Sequence, residues 1–373
     1  AFRDFYDEEK YAESQKYTRV TTRFSQIRAS ISLVLTVAFI LIGGFNLIDL
    51  IARNFDQGTI ITGLLFTGMV YLLSLILSLP FSIYFTFEIE ESFGFNKTTV
   101  KTFVLDLVKG LLLTIVIGVP LLAMLLWFFE STGEFAWLYS WGGLSLFTFV
   151  MQFLAPVLIM PLFNKFTPLE DGELKEKITT YAQEQDFALE GIYTMDGSKR
   201  STRLNAFFTG FGRFRRIVFF DTLIEKLKDD EIVVVLAHEM GHFKRKHIPK
   251  MMITSLLQNG LMFFILSLFL GNEALFAAFG MENISIYASL IFFLFLYAPI
   301  SSLISIFFNI FSRKHEYEAD TWAVETTELG QALVSGLKKL SVHNLSNLTP
   351  HPLNVFLNYS HPPVLERIKK IER

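Results

Sequence analysis

From Ile284 to Asp320 the chain reads ISIYASLIFFLFLYAPISSLISIFFNIFSRKHEYEAD. The first part, Ile284 to Phe311, carries almost nothing ionisable and is long enough, as a helix, to cross a hydrocarbon core roughly 30 Å thick. The second part places His315, Glu316, Glu318 and Asp320 directly after it. A span that delivers imidazole and carboxylate groups to the membrane surface predicts either a metal site or an interfacial charge cluster, and this stretch alone does not separate the two.

Five more apolar runs precede it: Ile31 to Ile51, Ile60 to Leu79, Phe103 to Phe129, Leu144 to Leu162 and Met251 to Leu270. Six such runs are hard to bury in a water-soluble protein. Composition agrees, with 51% hydrophobic and only 18% charged residues, against about a quarter charged in ordinary globular domains. The 41 Phe suit lipid contact and dense helix packing. A net charge of -3 gives no reason to expect nucleic acid as a partner. There is no Cys, so disulfides and thiolate ligands are excluded, and any metal must be held by His, Asp or Glu. The first 29 residues are polar, read as helical, and contain no signal-peptide core.

Lys and Arg set an orientation. The loops Glu130 to Ser140 and Gly271 to Asn283 have none. The amino-terminal segment, the loop with Lys97 and Lys101, Lys165 to Lys250, and Arg313 to Arg373 are basic, and only Arg53 breaks the alternation. The positive-inside rule then predicts both ends and both polar regions in the cytoplasm.

Within the first polar region, Phe163 to Phe187 reads as a connector and a helix, starting at Thr167-Pro168-Leu169. Three short runs follow, Gly191 to Met195, Ala206 to Gly210 and Arg216 to Phe220, and predict a small antiparallel sheet. Asp229 and Asp230 then stand before Glu231-Ile232-Val233, acids placed to cap a helix start. That helix contains Leu236-Ala237-His238-Glu239-Met240-Gly241-His242. H-E-x-x-H is an established zinc-protease signature. Residues i and i+4 share a helix face, so His238 and His242 can address one cation while Glu239 reaches a water beside it. Catalytic zinc takes a third protein ligand. Glu316 and Asp320 also share a face, so that one can bind metal and the other accept a hydrogen bond from a ligand imidazole. His315 and Glu318 face elsewhere.

Longer runs carry a resemblance. They are Ser92-Phe93-Gly94-Phe95-Asn96, Phe163-Asn164-Lys165-Phe166-Thr167-Pro168-Leu169, Gly197-Ser198-Lys199-Arg200-Ser201-Thr202, Asn205-Ala206-Phe207-Phe208, Phe220-Asp221-Thr222-Leu223, the H-E-M-G-H helix, Ser312-Arg313 with Glu316 and Asp320, and Tyr359-Ser360-His361-Pro362-Pro363 with Glu366-Arg367. Nearly the whole chain resembles the type I CAAX prenyl proteases, integral-membrane zinc metallopeptidases of the gluzincin kind. The resemblance implies a mainly α, multi-span helical bundle enclosing a chamber, with a cytoplasmic zinc-protease domain that holds a small β-sheet. It implies one Zn2+ per chain on His238, His242 and Glu316, with Glu239 catalytic and Asp320 supporting a ligand. His361 is expected near the scissile carbonyl. Asn205, Ala206 and Phe207 are expected to pair with substrate backbone beside the cleft, and Arg313 and Arg367 to be structural, Arg367 in an ion pair. The expected division is 1-163 for the first four spans, 164-250 for the sheet and metal helix, 251-311 for the last two spans, and 312-373 for a helical region with the third ligand.

Family members have seven membrane helices; six are read here, and the missing one is expected upstream of Ala1. The connection from Phe220 to the metal helix is short where eukaryotic relatives often carry an acidic insertion. That points to a bacterial inner membrane, with the endoplasmic reticulum as the eukaryotic counterpart. The implied partners are membrane lipid and a peptide or protein substrate, possibly prenylated. Two other readings are a quality-control protease indifferent to prenyl groups and a transporter or lipid-handling protein; the scarcity of charges within the spans and the absence of repeated halves weigh against the transporter.

Overall fold

All six apolar runs are helical in the computed structural model, which describes residues 8–209 and 215–373. The long apolar helices are α1 (Glu8–Leu41), α2 (Gly58–Glu90), α3 (Val100–Ser131), α4 (Gly133–Phe163), α7 (His247–Phe269) and α8 (Ile286–Thr327). Leu33, Val116, Leu257 and Phe307 are exposed on them. Apolar surface on this scale faces lipid, not water, and the reading as buried helices of a soluble protein falls away. Where the connection from α7 to α8 packs back on the bundle, Phe meets Phe: Phe279 stacks on Phe292 of α8 with ring centroids 4.0 Å apart, within a cluster that also holds Phe66, Leu126 and Tyr287.

One predicted span is divided. Gly43 adopts φ 71°, a left-handed conformation that ends α1, and a separate helix, Gly44–Arg53, continues the apolar run. The polar amino-terminal residues from Glu8 onward belong to α1 itself. Arg53, the exception to the charge alternation, lies 2.8 Å from the fully buried Asp49, which also accepts a hydrogen bond from Tyr287. Its position answers a buried carboxylate.

The remaining elements build the second unit: β1 (Phe166–Pro168), α5 (Glu173–Glu184), β2 (Gly191–Met195), β3 (Ala206–Thr209), β4 (Arg216–Phe220), α6 (Asp229–Lys244), α9 (Gly330–His343), α10 (Pro352–Asn358) and α11 (Val364–Ile371). The sheet order is β1-β2-β4-β3. It is mixed, not antiparallel as expected. β1 runs antiparallel to β2 and β3 to β4, but β2 and β4 are parallel, Ile192 opposite Ile217. The chain between them crosses over and lays β3 on the outer side of β4. The stretch at Thr167-Pro168 starts no helix; it is part of the edge strand β1, where proline is tolerated, and α5 begins later, at Glu173. Gly210, the end of the second predicted run, lies outside the described residues.

The core of this unit gathers Ile178 from α5, Ile217 and Phe219 from β4, Leu236 and Met240 from α6, Leu333 and Leu337 from α9, and Ile368 from α11. Helix α6 runs through its centre and packs against α8, α9 and α5. The unit is fastened to the membrane helices by two of the quoted runs. Asn96 bridges to Ser201, Lys97 N–H donates to Arg200 carbonyl, and Thr202 N–H donates to Phe95 carbonyl. Arg200 grips Asp106 of α3 with two 2.8 Å bonds, and Arg203 pairs with Glu90 of α2.

Candidate active site

Helix α6 begins at Asp229. Asp229 and Asp230 lie in its first turn, and the cap is made by Glu231, whose carboxylate accepts from Lys228 N–H at 2.7 Å. Burial pushes the Glu231 carboxyl up, but hydrogen bonds from Lys339, Ser335 and the Lys228 amide outweigh it and hold it below the usual carboxylate range.

Further along α6, His238 and His242 share one face with their Nε2 atoms 3.2 Å apart. Helix α8 brings Glu316 to the same point: one carboxylate oxygen is 3.5 Å from His238 Nε2 and the other 3.3 Å from His242 Nε2. Gly241 permits this approach, because a Cβ there would sit 3.1 Å from the backbone Cα of Ala319 on α8. Tetrahedral zinc bonded to imidazole nitrogen at about 2.0–2.1 Å separates its donors by about 3.3 Å. The three observed separations bracket that value. Glu316 Oε2 is moreover buried with no hydrogen-bond partner, an acceptor that a cation satisfies. The donor set therefore fits a divalent metal.

Behind His238 lies Asp320, with Oδ1 2.9 Å from Nδ1. Arg367 clasps the same carboxylate through bonds of 2.8 and 2.6 Å and reaches to 3.4 Å from Glu316. It thus orients two site carboxylates, besides forming the expected ion pair. Arg367 Nη2 also lies 3.4 Å from His238 Nδ1, but both atoms are donors there, and Asp320 is the acceptor they share. Burial pulls the His238 imidazole down, yet hydrogen bonds to Asp320 and then Glu316 lift it to about 9 in the metal-free chain.

Glu239 follows His238 on α6, half-buried, and its carboxylate makes no hydrogen bond among the described residues. His361 arrives from the loop between α10 and α11. Its Nε2 is 3.4 Å from Glu316, and the side chain is 66% exposed, open to a substrate. Arg313 donates to the carbonyls of Val355 and Tyr359, and Asn309 to that of Leu357, so α8 itself anchors the end of α10 and the start of that loop.

Asn205, Ala206 and Phe207 stand at and just before β3, whose outer edge is unpaired among the described residues. Asn205 carbonyl accepts from Phe220 N–H, and its side chain accepts from Ala206 N–H. Phe207, Phe208 and Thr209 line a cavity of about 370 Å³ together with Phe243, the residue after His242, and with Phe153 and Met160 of α4. Sequence reading passed over His247 and gave Glu318 no role. Yet His247 Nδ1 is 3.1 Å from His242 Nδ1, and its Nε2 is 2.9 Å from Glu318. The available signal was a third histidine five residues beyond His242.

A lipid-facing helical bundle carrying a His-His-Glu cluster, two of its members buried and His242 partly so, with a glutamate beside it that makes no hydrogen bond among the described residues, defines the class of integral-membrane metallopeptidases. Residues 1–165 match the family model described as "CAAX prenyl protease N-terminal, five membrane helices", and residues 168–373 match "Peptidase family M48". Among the described residues, four of the long apolar helices fall within the first match. The CAAX prenyl protease 1 homolog of Arabidopsis thaliana is 40% identical over 319 residues, covering 85% of this chain and 74% of that protein. CAAX prenyl protease 1 of Saccharomyces cerevisiae is 36% identical over 402 residues, covering 99% and 87%. The crystal structure of S. mikatae Ste24p superposes with a TM-score of 0.95 at 34% identity, over 100% of this chain and 91% of that one. The chain belongs to the CAAX prenyl protease family of M48 metallopeptidases.

Proposed function

We propose that this membrane endopeptidase is zinc-dependent and cleaves near the carboxyl terminus of CAAX-type peptides, prenylated ones included, with the metal held by His238, His242 and Glu316. The observation that carries the reading is the set of donor separations, 3.2 to 3.5 Å, closed around a buried carboxylate oxygen that has no hydrogen-bond partner. The names of the relatives supply the substrate class. When bound, zinc supplies Lewis acidity, lowering the pKa of water to about 7 and polarising the scissile carbonyl. Glu239 takes the proton of the attacking water and passes it to the leaving amine. His361, exposed and 3.4 Å from Glu316, donates to the developing oxyanion. The free edge of β3, entered through Asn205 and Ala206, holds the substrate backbone by strand addition, with Phe207 at the wall of the apolar cavity.

The division at 163/164, 250/251 and 311/312 follows function more than folding, since α8 runs unbroken through the last boundary. The basic loops support a site facing the cytoplasm. The relatives named above are eukaryotic and favour the endoplasmic reticulum membrane over a bacterial inner membrane. Membrane lipid and peptide are the partners this composition supports; nucleic acid is not.

The test is cleavage of matched CAAX peptides with and without a farnesyl group, with a chelator control. Glu239→Ala should retain zinc and lose about 10²–10⁴-fold in turnover; Glu316→Ala should lose the metal. Full turnover by metal-loaded Glu239→Ala would remove the assigned base. Equal cleavage of both peptides would remove prenyl recognition.

A further inference from the structure

A histidine that binds metal through Nε2 keeps its proton on Nδ1 and needs an acceptor there, which fixes both tautomer and ring plane. For His238 that acceptor is Asp320. For His242 it is a second imidazole, since His247 Nδ1 stands 3.1 Å from His242 Nδ1. An imidazole accepts on one nitrogen only when it is neutral with its proton on the other. His247 meets that condition, because its Nε2 is 2.9 Å from the Glu318 carboxylate, which accepts the remaining N–H.

We infer that His247 and Glu318 are positioning residues of the metal centre, a two-member chain that holds His242 with its Nε2 lone pair toward the metal. The inference rests on the metallopeptidase reading above and adds two residues to it. The surroundings are built for this. His247 is 1% exposed. Its ring stacks face to face on His315, centroids 4.0 Å apart and planes 13° from parallel. Lys246, with φ 58°, makes the left-handed turn from α6 into α7 that puts His247 behind His242. On a continuous helix, residues five apart lie on different faces and could not meet this way.

The same side chains have donor atoms close enough to hold a cation of their own, as a His247-His315-Glu318 group. The geometry argues against that use. The 2.9 Å from His247 to Glu318 is a hydrogen-bond length, shorter than the 3.2 to 3.5 Å among the primary donors. Two stacked, nearly parallel rings also keep their in-plane lone pairs in separate planes, so that both cannot lie in line with one cation.

The experiment uses the full chain in detergent, stripped of metal and titrated with Zn2+ against a chromophoric chelator. Wild type and His242→Ala come first: if wild type binds no zinc, the metallopeptidase reading fails and this inference falls with it, whereas zinc binding by wild type that the His247 and Glu318 variants leave untouched overturns this inference alone. His247→Leu keeps most of the volume and loses both hydrogen bonds; it should weaken zinc binding about 10–100-fold. His247→Gln offers an acceptor and a donor and should return to within about threefold of wild type, since both second contacts are remade. Glu318→Ala should cost about tenfold. The unfolding temperature of the metal-free protein controls for packing. If His247→Leu does not fold, Glu318→Ala decides, its side chain being 34% exposed and tolerant of truncation. Zinc binding as tight as wild type in the deciding variant overturns the inference. So does a second equivalent of zinc in wild type that vanishes with His247, because the group would then be a metal site itself.

Discussion

The two histidines proposed as ligands lie one helical turn apart and are backed in opposite ways. His238 rests on a buried carboxylate that a buried guanidinium clamps, so every charge behind it is matched and dry. His242 rests on a neutral imidazole whose far side meets Glu318, a carboxylate one-third exposed and close to Lys314. The first support is strong, and it is costly to lose. The second is softer, and it can be altered without stranding a charge in the interior.

The largest break is Asp320→Ala. It removes the acceptor of His238 and leaves Arg367 buried without its main partner, so we expect a loss of about 3–5 kcal/mol in stability. Zinc affinity should fall about 100-fold with it. Thermal unfolding and chelator competition check the two. Retained stability would show that Glu316 alone suffices for Arg367.

Acidity provides the next contrast. In the metal-free chain His238 is raised to about 9 by its carboxylate partners. Its extra stabilisation is complete below the unfolded value of about 6.5 and is lost as pH rises through about 9. Metal must displace that proton, so apparent zinc affinity should climb by up to about tenfold per pH unit until about 9. Asp320→Asn removes the leading upward contribution and should move the plateau to lower pH. An unchanged plateau would place the titration elsewhere.

Gly241→Ala acts on both histidines, because it forces α6 away from Ala319. Overpacking of about 1–3 kcal/mol is offset by about 1 kcal/mol of helix propensity. A net loss of about 1 kcal/mol is expected, with weaker zinc binding. The smallest effect is Lys246→Gly, which touches only the support of His242. It relieves the left-handed backbone, worth about 1 kcal/mol, and should raise the unfolding temperature slightly with zinc affinity within about twofold. A tenfold affinity loss would mean that the Lys246 side chain contributes to the site.

These differences also explain what the sequence made legible. The His238/His242 pair and the Glu316/Asp320 pair are local patterns, each set by helical periodicity, and they survive any change elsewhere in the chain. Strand limits at Gly191–Met195 and Arg216–Phe220 were legible for the same reason. The parallel pairing of those strands was not, since it depends on a crossover and not on either strand's pattern. Thr167-Pro168 was misread because a three-residue edge strand has no period to detect. The division at Gly43 lies in a run read as one span, in which Gly43-Gly44, Asn46 and Asp49 interrupt the apolar residues without ending them. His247 and Glu318 meet only because one turn is left-handed and two helices cross, and neither fact is written in spacing.

Helix α8 joins the last apolar run to Glu316 and Asp320 without a break. At 1.5 Å per residue, Glu316 stands about 8 Å along the axis beyond Phe311. Such a rod works as a depth gauge. It sets the height of Glu316 beyond the end of the apolar run, and under the proposed function a peptide must reach that height to be cut.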